Sequence, residues 1–208
     1  VLEGETIAGG VVMTAAHQFK DTDPAYFSDK TLYQSFDITV FPSLVINLCD
    51  KYDVGVTSQA NLKSWISAAQ AQAPKAGICA AVGVKDGVVY VNTQVKALED
   101  NTFRVGAWLV EDGIYAPQAG TANEKYYTHN ACLRVAEGKV VKSFQGLRLG
   151  DLKTDAKAEY LFKIKLDPSW KSENCRVVVF VSCKHDSGDY AVPNVAAPPS
   201  LEGTVASR

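Results

Sequence analysis

The 208-residue sequence predicts an incomplete α/β part over residues 1–74, followed by an all-β antiparallel sandwich over residues 75–208. Three observations carry this. Strand-like and helix-like runs alternate up to about Gln72. The stretch Ala71-Gln72-Ala73-Pro74-Lys75-Ala76-Gly77 is small, polar and proline-containing, and the hydrophobic period changes across it from helical to alternating. From Ile78 onward period-two alternation recurs at regular spacing, with almost no helical signal.

Elements of the first part follow in order. Gly10 to His17 is a short apolar run bounded by glycines and a polar loop, and reads as a buried strand. Asp23-Pro24 reads as an N-cap with proline at the first helical position, so that Phe27, Leu32 and Phe36 share one face of a helix ending near Asp37. Phe41-Pro42 precedes the apolar strand Ser43 to Asn47, where a proline can cap the start but cannot donate to a central ladder. Ser58 caps a last helix, Gln59 to about Gln72, burying Leu62, Trp65, Ile66 and Ala69.

In the second part, Ile78–Val84 and Val88–Lys96 flank the turn Lys85-Asp86-Gly87, whose glycine supplies a positive φ. Thr102–Val110, Ala131–Glu137, Glu159–Asp167, Asn174–Lys184 and Tyr190–Val195 complete about seven strands. Their alternation indicates two packed sheets of immunoglobulin-like type. The five cysteines, Cys49, Cys79, Cys132, Cys175 and Cys183, form no C-x-x-C pair and no zinc spacing. Cys175 and Cys183 fall on one strand, ~26 Å apart at the strand rise, too far for a disulfide. All five read as free thiols acting as small hydrophobes.

Composition narrows function without naming it. The chain is 47% apolar and 21% charged, with a net charge of −2, and no Lys/Arg cluster forms a nucleic-acid or anionic-membrane footprint. No apolar run approaches the roughly 18 residues of a membrane-spanning helix. No Walker, H-E-x-x-H, G-x-S-x-G or dinucleotide fingerprint is present, so no cofactor and no metal are expected. The chain opens Val1-Leu2-Glu3-Gly4, and residues preceding it are expected to carry any targeting peptide or lipid anchor.

The most distinctive run is Trp108 to Asn130, WLVEDGIYAPQAGTANEKYYTHN. Trp108, Tyr115, Tyr126, Tyr127 and His129 are the candidate binding residues, because aromatic faces on a sandwich loop supply contact area at small entropic cost. Glu111, Asp112 and His129 could instead form an acid/base or metal site, which requires hydrogen-bond reach. The expectation is a turn at Glu111-Asp112-Gly113 and a backbone-bonded His129-Asn130. His17 is likewise expected to be structural, and no catalytic residue is assigned.

Two resemblances add to these readings. Strand, helix, Phe41-Pro42-Ser43-Leu44 strand and the helix Asn61-Leu62-Lys63-Ser64-Trp65-Ile66 resemble the C-terminal part of a thioredoxin-like fold, which implies a cis bond at Phe41-Pro42. Leu109-Val110-Glu111-Asp112-Gly113-Ile114-Tyr115-Ala116-Pro117-Gln118-Ala119-Gly120, then Tyr127-Thr128-His129-Asn130-Ala131-Cys132-Leu133-Arg134 and the glycines Gly146 to Gly150, resemble the Omp-twenty-eight-related outer-membrane proteins of Bacteroidetes. That resemblance implies a non-enzymatic lipoprotein of the outer membrane, at its cell-surface or periplasmic face. The implied role is accessory: partnership with other outer-membrane proteins, a nutrient transporter among them, and a peptide or glycan ligand. The alternative is an envelope thiol-disulfide oxidoreductase whose C-x-x-C lies before Val1, since dithiol exchange needs a low-pKa thiolate with a resolving partner.

Overall fold

The computed structural model describes residues 11–53, 58–117, 125–141, 143–185, 188–198 and 200–207. Helix α1 spans Thr31–Ser35 and α2 spans Gln59–Gln70. The strands are β1 (Ser43–Ile46), β2 (Asp50–Asp53), β3 (Ala76–Lys85), β4 (Val88–Ala97), β5 (Asn101–Glu111), β6 (Ile114–Pro117), β7 (Tyr126–His129), β8 (Cys132–Glu137), β9 (Leu147–Leu152), β10 (Lys157–Lys165), β11 (Cys175–Lys184), β12 (Tyr190–Ala196) and β13 (Gly203–Ser207).

Two antiparallel sheets form the body. One has the order β10-β4-β3-β13; the other runs β12-β11-β5-β8, with β9 pairing the first half of β5 where β8 pairs the second. Alternation explains the core between them. Ile78, Ala80 and Val82 of β3, Val89, Val91 and Val95 of β4, and Phe162 and Ile164 of β10 meet Phe103, Val105, Ala107 and Leu109 of β5 and Val177, Val179 and Val181 of β11. The β3–β4 turn places Asp86 at φ 52 and Gly87 at φ 71, the left-handed pair that a two-residue hairpin demands.

Strands β5 and β11 are apolar on both faces, and this decides what happens to the N-terminal residues. Trp108 and Val110 of β5, Val178 and Phe180 of β11, Leu133, Phe144 and Val192 form a second cluster on the outer face of the five-stranded sheet. Phe27 and Leu32 complete it, with Val12, Ala16, Phe36 and Leu48 packed around. One close approach makes this face possible: Gly106 lies opposite Phe180, and a Cβ there would sit 2.3 Å from the ring.

The thioredoxin-like α/β part expected over residues 1–74 is therefore not what forms. Where Gly10 to His17 was expected as a strand, the described residues make only isolated bridges, Ala15 to Cys132 and His17 to Tyr26. Asp23 does not cap a helix from Pro24; its carboxylate accepts from the Ala25 amide and from His17, and helix α1 is only five residues long. Among the described residues strand β1 pairs with β2 alone, as a two-stranded antiparallel hairpin. The Phe41–Pro42 peptide is cis as the thioredoxin-like resemblance implies, but it leads into that hairpin. Helix α2 begins as predicted, with the Ser58 side chain accepting from the Asn61 amide, and Ile66 is its buried residue while Trp65 stacks on Tyr52. The physical reason for the difference is coverage. Beyond the β1–β2 hairpin, the apolar residues of this segment build no larger sheet among the described residues and instead cover the second face of β5 and β11, which would otherwise face water.

Candidate functional site

Strand β5 ends at Glu111, and the chain then turns outward into the β6–β7 ribbon before returning along β8. The polar residues at this corner are all engaged. Glu111 is buried; its Oε2 accepts from Arg134 Nε and Nη2, both at 2.8 Å, and its Oε1 accepts from the Lys171 amide at 3.0 Å. Arg134 Nη1 also donates to the Pro24 carbonyl at 2.8 Å, tying the N-terminal cover to the sandwich. Asp112 accepts from the Ala131 amide at 2.6 Å and from Arg176 Nε at 3.1 Å. Gly113, at φ +73, donates its amide to Asn130 Oδ1 at 2.9 Å, and Ala131 follows at φ 55. Both ends of the ribbon are thus pinned to the sheet, each by a side chain bonded to backbone.

The histidines are structural in the same way. His129 is buried on the inner face of the ribbon and donates Nε2–H to the Ala116 carbonyl at 3.2 Å. Its ring meets that of His17 edge-on, with centroids 4.8 Å apart. His17 donates Nδ1–H to Asp23 at 2.7 Å. Burial pushes the Asp23 carboxyl up, but the bonds from His17 and the Ala25 amide outweigh it and hold the group below the usual range. Among the described residues no three His, Cys, Asp or Glu side chains are placed to hold a metal ion. Glu111, the other half of the acid/base pair considered from the sequence, is committed to Arg134 and the Lys171 amide.

At four of the five cysteines burial works against a thiolate. Burial pushes the thiols of Cys132 and Cys175 up to about 12 and that of Cys183 up to about 11, and raises that of the exposed Cys49 as well. No disulfide joins the five.

What remains open to contact is aromatic. In the β6–β7 register Tyr115 opposes Thr128 and Pro117 opposes Tyr126, so these four share one face of the ribbon. Tyr115 is 68% and Tyr126 58% exposed, and their rings pack side by side with centroids 5.2 Å apart. The opposite face carries Ile114, Ala116 and His129, all buried. Tyr127 is exposed too, but points from that second face. The five residues singled out by sequence therefore divide. Tyr115 and Tyr126 form one surface, Tyr127 stands beside it, and His129 supports it from beneath. Trp108 belongs elsewhere, buried against Phe180 on the outer face of the five-stranded sheet.

The fold and this corner define an antiparallel β-sandwich with an N-terminal cover and a projecting aromatic ribbon. The chain belongs to the outer membrane protein Omp28 family, whose model matches residues 29–198 and so spans both the cover and the sandwich. Family membership makes it an outer membrane protein. Among solved structures it is similar to HBP35 of Porphyromonas gingivalis, at TM-score 0.63 and 14% identity, over 82% of this chain and 56% of that one. The chain thus spans little more than half of that structure, and at this identity the likeness is one of fold. Spo0M, a sporulation control protein from Bacillus subtilis, aligns at TM-score 0.36 and 10% identity, over 59% of this chain and 48% of that one. No curated protein matches the sequence. Among the described residues no helix is long and apolar enough to cross a membrane.

Proposed function

We propose that this chain is a non-enzymatic, lipid-anchored accessory protein of the outer membrane, which binds a partner through the Tyr115–Tyr126 face of the β6–β7 ribbon. The setting that suits it is a complex importing peptides or glycans, with a nutrient transporter as the partner. One observation carries the reading. At the corner that characterises the sequence, the groups suited to acid/base chemistry are spent on structural bonds, while the Tyr115 and Tyr126 rings stand exposed on the ribbon. Aromatic side chains with a rigid base give large contact area at small entropic cost, and loops at the ends of sandwiches are where such surfaces arise.

The test is capture from native outer membranes with the tagged protein and with Tyr115→Ala/Tyr126→Ala. Because both rings are exposed, the double variant should melt within about 2 °C of the wild type. The expected result is loss of the co-purifying membrane proteins from the variant alone, with soluble peptides or oligosaccharides then tried as competitors. An unchanged set of captured proteins would remove the ribbon from the interaction, and thiol-disulfide turnover by the purified protein would overturn the non-enzymatic reading.

A further inference from the structure

The four-stranded sheet ends on β10, a nine-residue strand whose second edge pairs with no described strand. Bonds at both ends of the β4–β10 ladder fix which groups that edge presents. The Leu166 amide donates to the Gly87 carbonyl, and the Ala97 amide donates to the Ala156 carbonyl. Backbone groups alternate sides along an antiparallel strand, so Ala158, Tyr160, Phe162 and Ile164 bond to β4. Lys157, Glu159, Leu161, Lys163 and Lys165 then turn their amides and carbonyls to the open edge, where no described residue bonds to them. Other edges of the sandwich are blunter. Strand β12 carries Pro193 and a register shift against β11, β13 has five residues, and β8 and β9 divide one side of β5 between them.

The side chains of β10 are as open as its backbone. Leu161 is 48% exposed on the outer face of the sheet, and Tyr160 is 39% exposed on the inner face. Glu159 and Lys163 flank Leu161 on the outer face. Glu159 Oε1 accepts from Gln94 Nε2 at 2.6 Å; the Lys163 ammonium lies over the Tyr90 ring at 5.8 Å and makes no ion pair among the described residues.

This order of residues is self-complementary. When a second β10 runs antiparallel with its Leu161 opposite this Leu161, every edge-facing residue meets an edge-facing residue, as a hydrogen-bonded ladder requires. The exposed leucines meet on the two-fold axis. Glu159 of each copy meets Lys163 of the other, which gives a pair of opposite charges on either side of the axis. On the inner face Tyr160 of each copy opposes Phe162 of the other. The one unfavourable match, Lys157 with Lys165, falls at the exposed ends of the strands, where solvent and salt screen it. Sliding the second strand to set Glu159 against Lys165 would place Leu161 on Lys163 and lose the apolar contact. The lysines that discourage a foreign strand are thus accommodated by a second copy.

We propose that two copies of this chain associate through β10, edge to edge and antiparallel about Leu161, joining their four-stranded sheets into one of eight strands. The association rests on neither tyrosine of the ribbon.

Sedimentation of the purified chain over a dilution series, with amide exchange measured along β10, tests this. A monomer–dimer equilibrium is expected, with the Glu159, Leu161 and Lys163 amides protected only in the dimer. Glu159→Lys and Lys163→Glu should each weaken the dimer at least about tenfold, since both attractive pairs become repulsive. Mixing those two variants should restore association, and so should Glu159→Lys/Lys163→Glu in one chain, because unlike charges again oppose each other. Leu161→Pro removes an edge-facing amide, leaves the bonds to β4 in place, and should yield a folded monomer. Tyr115→Ala/Tyr126→Ala should dimerise as the wild type does. A monomer at every concentration up to about 1 mM would overturn the proposal and leave the edge to a foreign strand. A dimer that survives Leu161→Pro, or a charge swap that fails to restore association, would overturn it as well.

Discussion

Replacing Arg134 by methionine isolates what the corner after β5 does. The guanidinium makes three bonds at 2.8 Å, two to Glu111 and one to the Pro24 carbonyl. The two side chains are only 11% and 5% exposed. Methionine fills similar volume and supplies no donor, so Glu111 would stay buried with the Lys171 amide as its remaining partner. Breaking a buried ion pair from one side costs about 3–5 kcal/mol, because the surviving charge is desolvated without compensation. For a chain of this size that is roughly 6–20 °C in melting temperature. Lysine should rescue only part of this, since an ammonium cannot reproduce the guanidinium fork. The pair Glu111→Leu/Arg134→Met should recover much of the loss, because no charge is then stranded and Lys171 and Pro24 are exposed enough to be satisfied by water. Denaturant unfolding of the wild type, Arg134→Met, Glu111→Leu and the double variant closes the cycle. A loss below about 1 kcal/mol for Arg134→Met would refute the reasoning and free Glu111 for a chemical role.

Three further outcomes follow from the geometry. Gly106→Ala should destabilise by about 1–3 kcal/mol, as overpacking against the Phe180 ring demands, and Phe180→Leu in the same chain should relieve it; a neutral Gly106→Ala would mean that the outer face repacks freely. Asp100 is held at about 2 by Lys153 and by the Thr154 amide and hydroxyl, against an ordinary 3.8. Since its folded value lies below its unfolded one, its stabilising contribution is full above pH 3.8 and is lost as pH falls toward 2. Carboxyl resonances followed through that window should show Asp100 titrating last, and titration near 3.8 would contradict the contacts drawn. Iodoacetamide at pH 8 should modify the exposed Cys49 well before Cys132, Cys175 and Cys183, whose thiols are buried and pushed to about 12, 12 and 11; rapid native labelling of any of these three would disprove their burial.

The sandwich was legible because period-two alternation survives wherever one sheet face is buried: β4 carries Val89, Val91, Thr93 and Val95 inward, as its spacing predicts. The N-terminal part was not. An apolar run such as Gly10 to His17 has the same composition whether it becomes a strand or a cover, and α1 is too short for its period to declare itself. The signal that could have distinguished them lay elsewhere. Val177-Val178-Val179-Phe180-Val181 is apolar without alternation, which in an antiparallel sandwich means a strand buried on both faces. Something outside the two sheets must then cover it, and the preceding seventy residues are the natural supply. The same logic places Trp108: on β5 it alternates with Leu109, so once the outer face is known to be covered, the indole belongs to that second core.

The ribbon shows the opposite case, in which sequence chemistry and structural role diverge because local bonds outrank reactivity. Glu111, Asp112, His129 and Asn130 would serve equally in an acid/base site. Their fate was set by two backbone requirements: a positive φ at Gly113, and another at Ala131 where the chain re-enters the sheet. Each turn leaves amides without ladder partners, and Asn130 and Asp112 bond to those amides across the corner. With the carboxylates spent in this way, the corner is rigid, and rigidity is what lets Tyr115 and Tyr126 stay exposed side by side on four-residue strands. A contact surface so built discriminates by the placement of its rings. The corner therefore contributes to binding through its stability: Arg134→Met should weaken capture of the ribbon's partner without touching either tyrosine, and Arg134→Lys should restore part of it. If capture survives in a fully destabilised Arg134→Met protein, the ribbon does not need its base.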